Sequence, residues 1–123
     1  MKNLAIALSL ASATSLPSYH DYNHFPKSCV AGNKISGHHG KSLAECSDLC
    51  NKDPNCKIFQ YGVAYGGKLG NIKPGYCILK SSNNRQNCDG EAWNVDVYEK
   101  PFAKQTAKFN ATKNGESGIF CLN

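Results

Sequence analysis

Seven cysteines sit in 123 residues, at positions 29, 46, 50, 56, 77, 88 and 121. A domain this small struggles to bury enough apolar surface to hold itself together, and cross-links are the usual compensation. Cys46 and Cys50 are one helical turn apart on a stretch with helical signals, so they share a face and would staple one helix to two places on a sheet. Cys50–Cys56 would close a short loop over Pro54, and Cys46–Cys77 a longer one. Chain-entropy estimates for the two closures are roughly 2.5 and 3.5 kcal/mol. The odd count leaves one thiol free, capped or joined to another chain.

Cross-links persist where the surroundings are oxidising, and the N-terminus points the same way. Lys2 precedes a short apolar run over residues 4–11, and small residues follow it. Residues 1–18 therefore read as an export signal, cleaved between about positions 13 and 18. The run is far shorter than the ~20 residues a bilayer span needs, and no membrane span is expected elsewhere. Roughly 105 residues remain for one small secreted domain. The formal charge is +5, falling to +4 once Lys2 is lost, and the mean hydropathy is −0.46. The basic residues are dispersed and nearly all lysine, so nucleic acid is not an expected partner. Asn110-Ala111-Thr112 is an acceptor triplet for N-glycosylation at Asn110.

Residues 19–28 lack periodicity and read as a flexible leader. Residues 42–51 predict a helix: Ser42 is a good N-cap, Glu45 completes a capping box, and Leu43, Cys46, Leu49 and Cys50 share one face. Pro54 ends the segment. Residues 56–61, 76–80 and 93–98 predict three strands, from their aromatic and β-branched content and from the alternation through Val95 and Val97. Residues 62–75 carry five glycines and two lysines and predict an extended hairpin loop. After Pro101 the chain reads as a polar tail over 101–123.

Catalysis and metal binding find little support. Cys46-x3-Cys50-x5-Cys56 near His38-His39 is a poor zinc set, because adjacent histidines cannot easily aim at one ion. Glu45, Asp48, Asp53 and Asp96 are scattered, and no nucleophile has a base beside it. No enzyme activity, metal or cofactor is expected.

The run Glu45-Cys46-Ser47-Asp48-Leu49-Cys50-Asn51-Lys52-Asp53-Pro54-Asn55-Cys56-Lys57-Ile58-Phe59-Gln60-Tyr61, followed by Gly75-Tyr76-Cys77-Ile78-Leu79-Lys80-Ser81, resembles the PAN/apple module. Trp93-Asn94-Val95-Asp96-Val97-Tyr98-Glu99-Lys100 looks like its closing strand, and residues 29–35 are similar to its opening segment. The resemblance implies an α+β fold over residues 29–100, one helix on a small curved antiparallel sheet, pinned by Cys46–Cys77 and Cys50–Cys56. Apple domains usually place a cysteine just after the last strand, where Lys100-Pro101-Phe102 has none. Cys29 is then left to pair with Cys88, inside the module, or with Cys121. The one left over is a route to a disulfide-linked dimer.

PAN modules are binding units, so the resemblance implies a glycan or an extracellular protein as partner. A sugar site combines aromatic faces with a few convergent polar groups. The candidates are Tyr61, Tyr65, Tyr76, Trp93 and Asn94, with Tyr65 the best exposed and Tyr61 and Trp93 also suited to a sheet core. Lys57, Lys68 and Lys73, with Lys80 and Arg85, are the basic candidates for a sulfated glycan. Carbohydrate recognition is the first expectation. A protease or receptor ligand acting through the 62–75 loop, and a cross-linked matrix component, are the alternatives.

Overall fold

The structure is a computed structural model and describes residues 18–105. Along the chain run β1 (Asn23–Phe25), β2 (Lys34–His38), α1 (Leu43–Lys52), β3 (Ile58–Gly62), β4 (Cys77–Lys80), α2 (Gly90–Trp93) and β5 (Val95–Glu99). The strands form one five-stranded sheet in the order β1-β5-β3-β4-β2, antiparallel at every pairing. The molecule is thus α+β, a helix on an antiparallel sheet.

Helix α1 begins where its capping residues dictate. The Ser42 hydroxyl accepts from the Glu45 amide at 3.1 Å, and the Glu45 carboxylate accepts from the Ser42 amide at 2.9 Å. It buries Cys46, Ser47 and Cys50. Three disulfides hold the fold, Cys46–Cys77, Cys50–Cys56 and Cys29–Cys88, with Cα separations of 5.6, 5.3 and 5.3 Å.

Strand alternation divides the apolar residues between two faces. Phe59, Leu79, Cys77 and Tyr98 point toward α1 and make the larger cluster with Tyr22 and the helix cysteines. Phe59 is wholly buried between the rings of Tyr22 and Tyr98, at centroid distances of 5.4 and 5.0 Å. Ile58, Val97 and Val30 pack on the opposite face, with Phe25 at their edge under the Arg85 guanidinium at 3.6 Å. Among the described residues no helix covers that second face at β3 and β4; Ile58, Gln60, Ile78 and Lys80 are buried there, beside a pocket lined by loop residues such as Val30 and Ile72.

Two expectations are corrected. Residues 19–28 are not a leader: Tyr22 is buried, and β1 pairs with β5 through Asn23–Glu99, His24–Tyr98 and Phe25–Val97. A lone Asn-His-Phe triplet shows no alternation, because an edge strand this short needs only one side chain in the core. Trp93 does not open the last strand either. Asp89 caps a single helical turn by accepting from the Glu91 and Ala92 amides, and Asn94 closes it in the left-handed region at φ 63°. Within the expected tail, Lys104 bonds the Asp21 carboxylate at 3.0 Å, so the first residues after Pro101 are tied to the body. Most of the expected signal segment, Asn110 and Cys121 lie outside the described residues.

Candidate functional site

The sheet face opposite α1 carries a pocket of about 290 Å³. Its floor comes from the outward-facing register of β3 and β4, where Gln60 lies opposite Ile78. Val30, Ala31 and Gly32, from the segment before β2, form one wall with the Cys29–Cys88 disulfide. Ile72, Trp93, Lys34 and Lys80 complete the lining. Trp93 is 38 % exposed, more than a core tryptophan tolerates, while Gly70 lies against its ring where a Cβ would overlap it.

The polar groups at the floor are held by the backbone. Gln60, buried, accepts from the Val30 amide at 2.6 Å through Oε1. Lys80 is only 7 % exposed and donates to the Gly32 carbonyl at 2.8 Å. Burial lowers the pKa of its ammonium, and the neighbouring charge of Lys34 lowers it further. Lys34 stands directly opposite Lys80 across the β2–β4 pairing and donates from Nζ to the Tyr76 hydroxyl at 3.3 Å.

The 62–75 loop reaches this pocket because it is docked, not free. The Asn94 Oδ1 accepts from the Tyr65 and Gly67 amides at 3.2 and 2.7 Å, and Asn94 Nδ2 donates to the Gly67 carbonyl at 3.1 Å. The Leu69 amide donates to the Ala92 carbonyl. Gly67 admits no side chain, since a Cβ would overlap the carbonyl oxygens of Glu91 and Ala92.

The aromatic and polar candidates read from the sequence are dispersed over the fold. Trp93 alone among them lines the pocket. Tyr61 is half-buried on the α1 face, where its hydroxyl donates to the Lys41 carbonyl. Tyr65 is not the freely exposed ring expected of a loop residue, because its hydroxyl donates to Asp96. Burial pushes Asp96 upward, yet the Tyr65 hydroxyl, the Lys27 amide and His24 together hold its carboxyl below the usual carboxylate range. The same bond raises Tyr65 to about 12. Tyr76 stacks on His39 at 4.0 Å, beyond the β2 edge. Asn94 organises the loop, and Lys57, Lys68 and Lys73 are exposed and outside the pocket lining.

Lys34 and Gln60 were not among the residues the sequence singles out for binding. The signal for Gln60 is the alternation of β3, which sets it with Ile58 away from Phe59 and Tyr61. For Lys34 there is none, since its strand contains glycine and serine and is short of apolar residues. Among the described residues no group of three His, Cys, Asp or Glu side chains is placed to hold a metal ion. No described helix is long and apolar enough to cross a membrane.

A helix on a five-stranded antiparallel sheet with three disulfides is consistent with a PAN/apple module. The family model for the PAN domain matches residues 19–102, and the chain belongs to that family. Neither the curated proteins nor the solved structures contain a match to it. PAN domains are generally non-catalytic modules that mediate protein or carbohydrate interactions, and they occur in extracellular proteins.

Proposed function

We propose that the chain is a secreted, non-catalytic module that binds a carbohydrate in the pocket on the sheet face opposite α1. The observation that carries this reading is Trp93, a substantially exposed indole on the wall of a pocket that also offers two ammonium groups and a buried amide. Sugars are held by an aromatic face together with a few convergent polar groups in a preformed cleft. The cleft is preformed because the disulfide, the Asn94 bonds and the Gly67 contact fix its walls. Export is supported by the three disulfides, which persist in oxidising surroundings.

A protein ligand on the 62–75 loop has less support, since that loop is spent on its own packing. A glycan array separates the two. The wild-type protein is expected to bind a defined subset of glycans, and Trp93→Ala to lose that binding while keeping its melting temperature within a few degrees. An array without signal, or one unchanged in Trp93→Ala, overturns the reading.

A further inference from the structure

Lys34 and Lys80 face each other across two paired strands, an arrangement that is destabilising for like charges on neighbouring strands. Both line the pocket, and no aspartate or glutamate is among the residues that line it with them. Lys80 is more than nine-tenths buried, and the Gly32 carbonyl at 2.8 Å takes one of its three N–H donors. Lys34 reaches the Tyr76 hydroxyl at 3.3 Å, a neutral partner. A buried ammonium is costly unless an opposite charge or enough hydrogen bonds compensate it. The pocket therefore holds two cations whose natural complement, an anion, is not supplied by the walls. Trp93 lines the same pocket as the cation pair and is 38 % exposed.

From this juxtaposition we infer that the ligand is an acidic sugar, whose anionic group is taken by Lys80 and Lys34 while its ring lies against Trp93. The inference rests on the carbohydrate reading above and names the substrate class of that same pocket. A carboxylate and a sulfate ester present the same chemistry to the two ammonium groups, so either source satisfies it.

The test is calorimetric titration of the full chain with the methyl glycosides of glucuronic and galacturonic acid, their neutral parents, and the corresponding 6-sulfates. At least one acidic sugar is expected to bind about tenfold or more tightly than its neutral parent, with the margin shrinking as salt rises. Lys80→Met, which keeps the packing volume, and Lys34→Gln, on the exposed edge strand, are each expected to remove most of that margin. The second variant keeps the test sound if the first does not fold. The ranking of uronate against sulfate assigns the anionic group. If neutral and acidic sugars bind alike and only Trp93→Ala weakens both, the acidic inference falls and the carbohydrate reading stands. If no sugar binds, both fall, and binding of N-acetylglutamate methylamide in their place moves the ligand to an acidic peptide.

Discussion

Asp96 shows how one side chain gathers separate parts of the chain. It is 7 % exposed, and it is satisfied by His24 from β1 at 2.8 Å, the Lys27 amide at 2.9 Å and the Tyr65 hydroxyl from the loop. Because its folded pKa lies below the unfolded value, the stability it contributes is present above about pH 4 and is lost as pH falls through the folded value. Melting temperature followed from pH 7 to pH 2 is therefore expected to fall less steeply in the acid for Asp96→Asn than for the wild type, with the two curves converging. Parallel curves would show that Asp96 titrates normally. Tyr65→Phe, which removes one donor to a buried carboxylate, is expected to cost about 1–2 kcal/mol in urea denaturation. None of this was legible in the sequence, where Asp96 is one of several scattered acids and Tyr65 a tyrosine among glycines. A partnership between residues 24, 65 and 96 exists only once the sheet has formed.

Among the elements, α1 was the most legible, because its signals are local. Ser42, Glu45 and the i, i+3, i+7 spacing of Leu43, Cys46 and Cys50 act within one segment, and Ser42→Ala is expected to lower stability by about 1 kcal/mol, measurable by thermal or chemical denaturation. Strands β3 and β4 were legible for the same reason, each within a residue or two. Strand β5 was found but begun too early, at Trp93. The corrective signal is present in Asp89-Gly90-Glu91, an N-cap followed by an acidic first turn, and in Asn94, a residue that tolerates the left-handed region. Strands β1 and β2 were missed, since edge strands bury little and need no alternation. The 62–75 loop is an element in its own right, and Gly67 is its most constrained position. Gly67→Ala is expected to lift the loop from α2, which hydrogen–deuterium exchange would report as lost protection at Gly67 and Leu69. Unchanged protection would show that the loop accommodates the methyl group.

For the molecule as a whole, the two faces of the sheet divide the labour. The α1 face carries the larger core and two of the disulfides, and the opposite face carries the smaller cluster and the pocket. Cys46–Cys77 joins the helix to β4. Cys46→Ser is expected to lower stability by roughly 3.5 kcal/mol, and with it the yield of folded protein, while leaving the pocket residues themselves intact. The division into helix and sheet could be read from cysteine spacing and strand patterning, but the pocket could not. Its lining comes from six separate stretches of chain, and the pairing of Lys34 with Lys80 depends on a strand that carries no sequence signal. The central claim, that the pocket on the face opposite α1 is where this PAN module meets a sugar, is tested most directly by ¹H–¹⁵N NMR mapping of the isotope-labelled protein with the strongest glycan from the array. The shifts are expected at the Trp93 indole and at the amides of Val30, Gln60, Ile78 and Lys80. Shifts confined to the α1 face, or to the edge where His39 stacks on Tyr76, would contradict it.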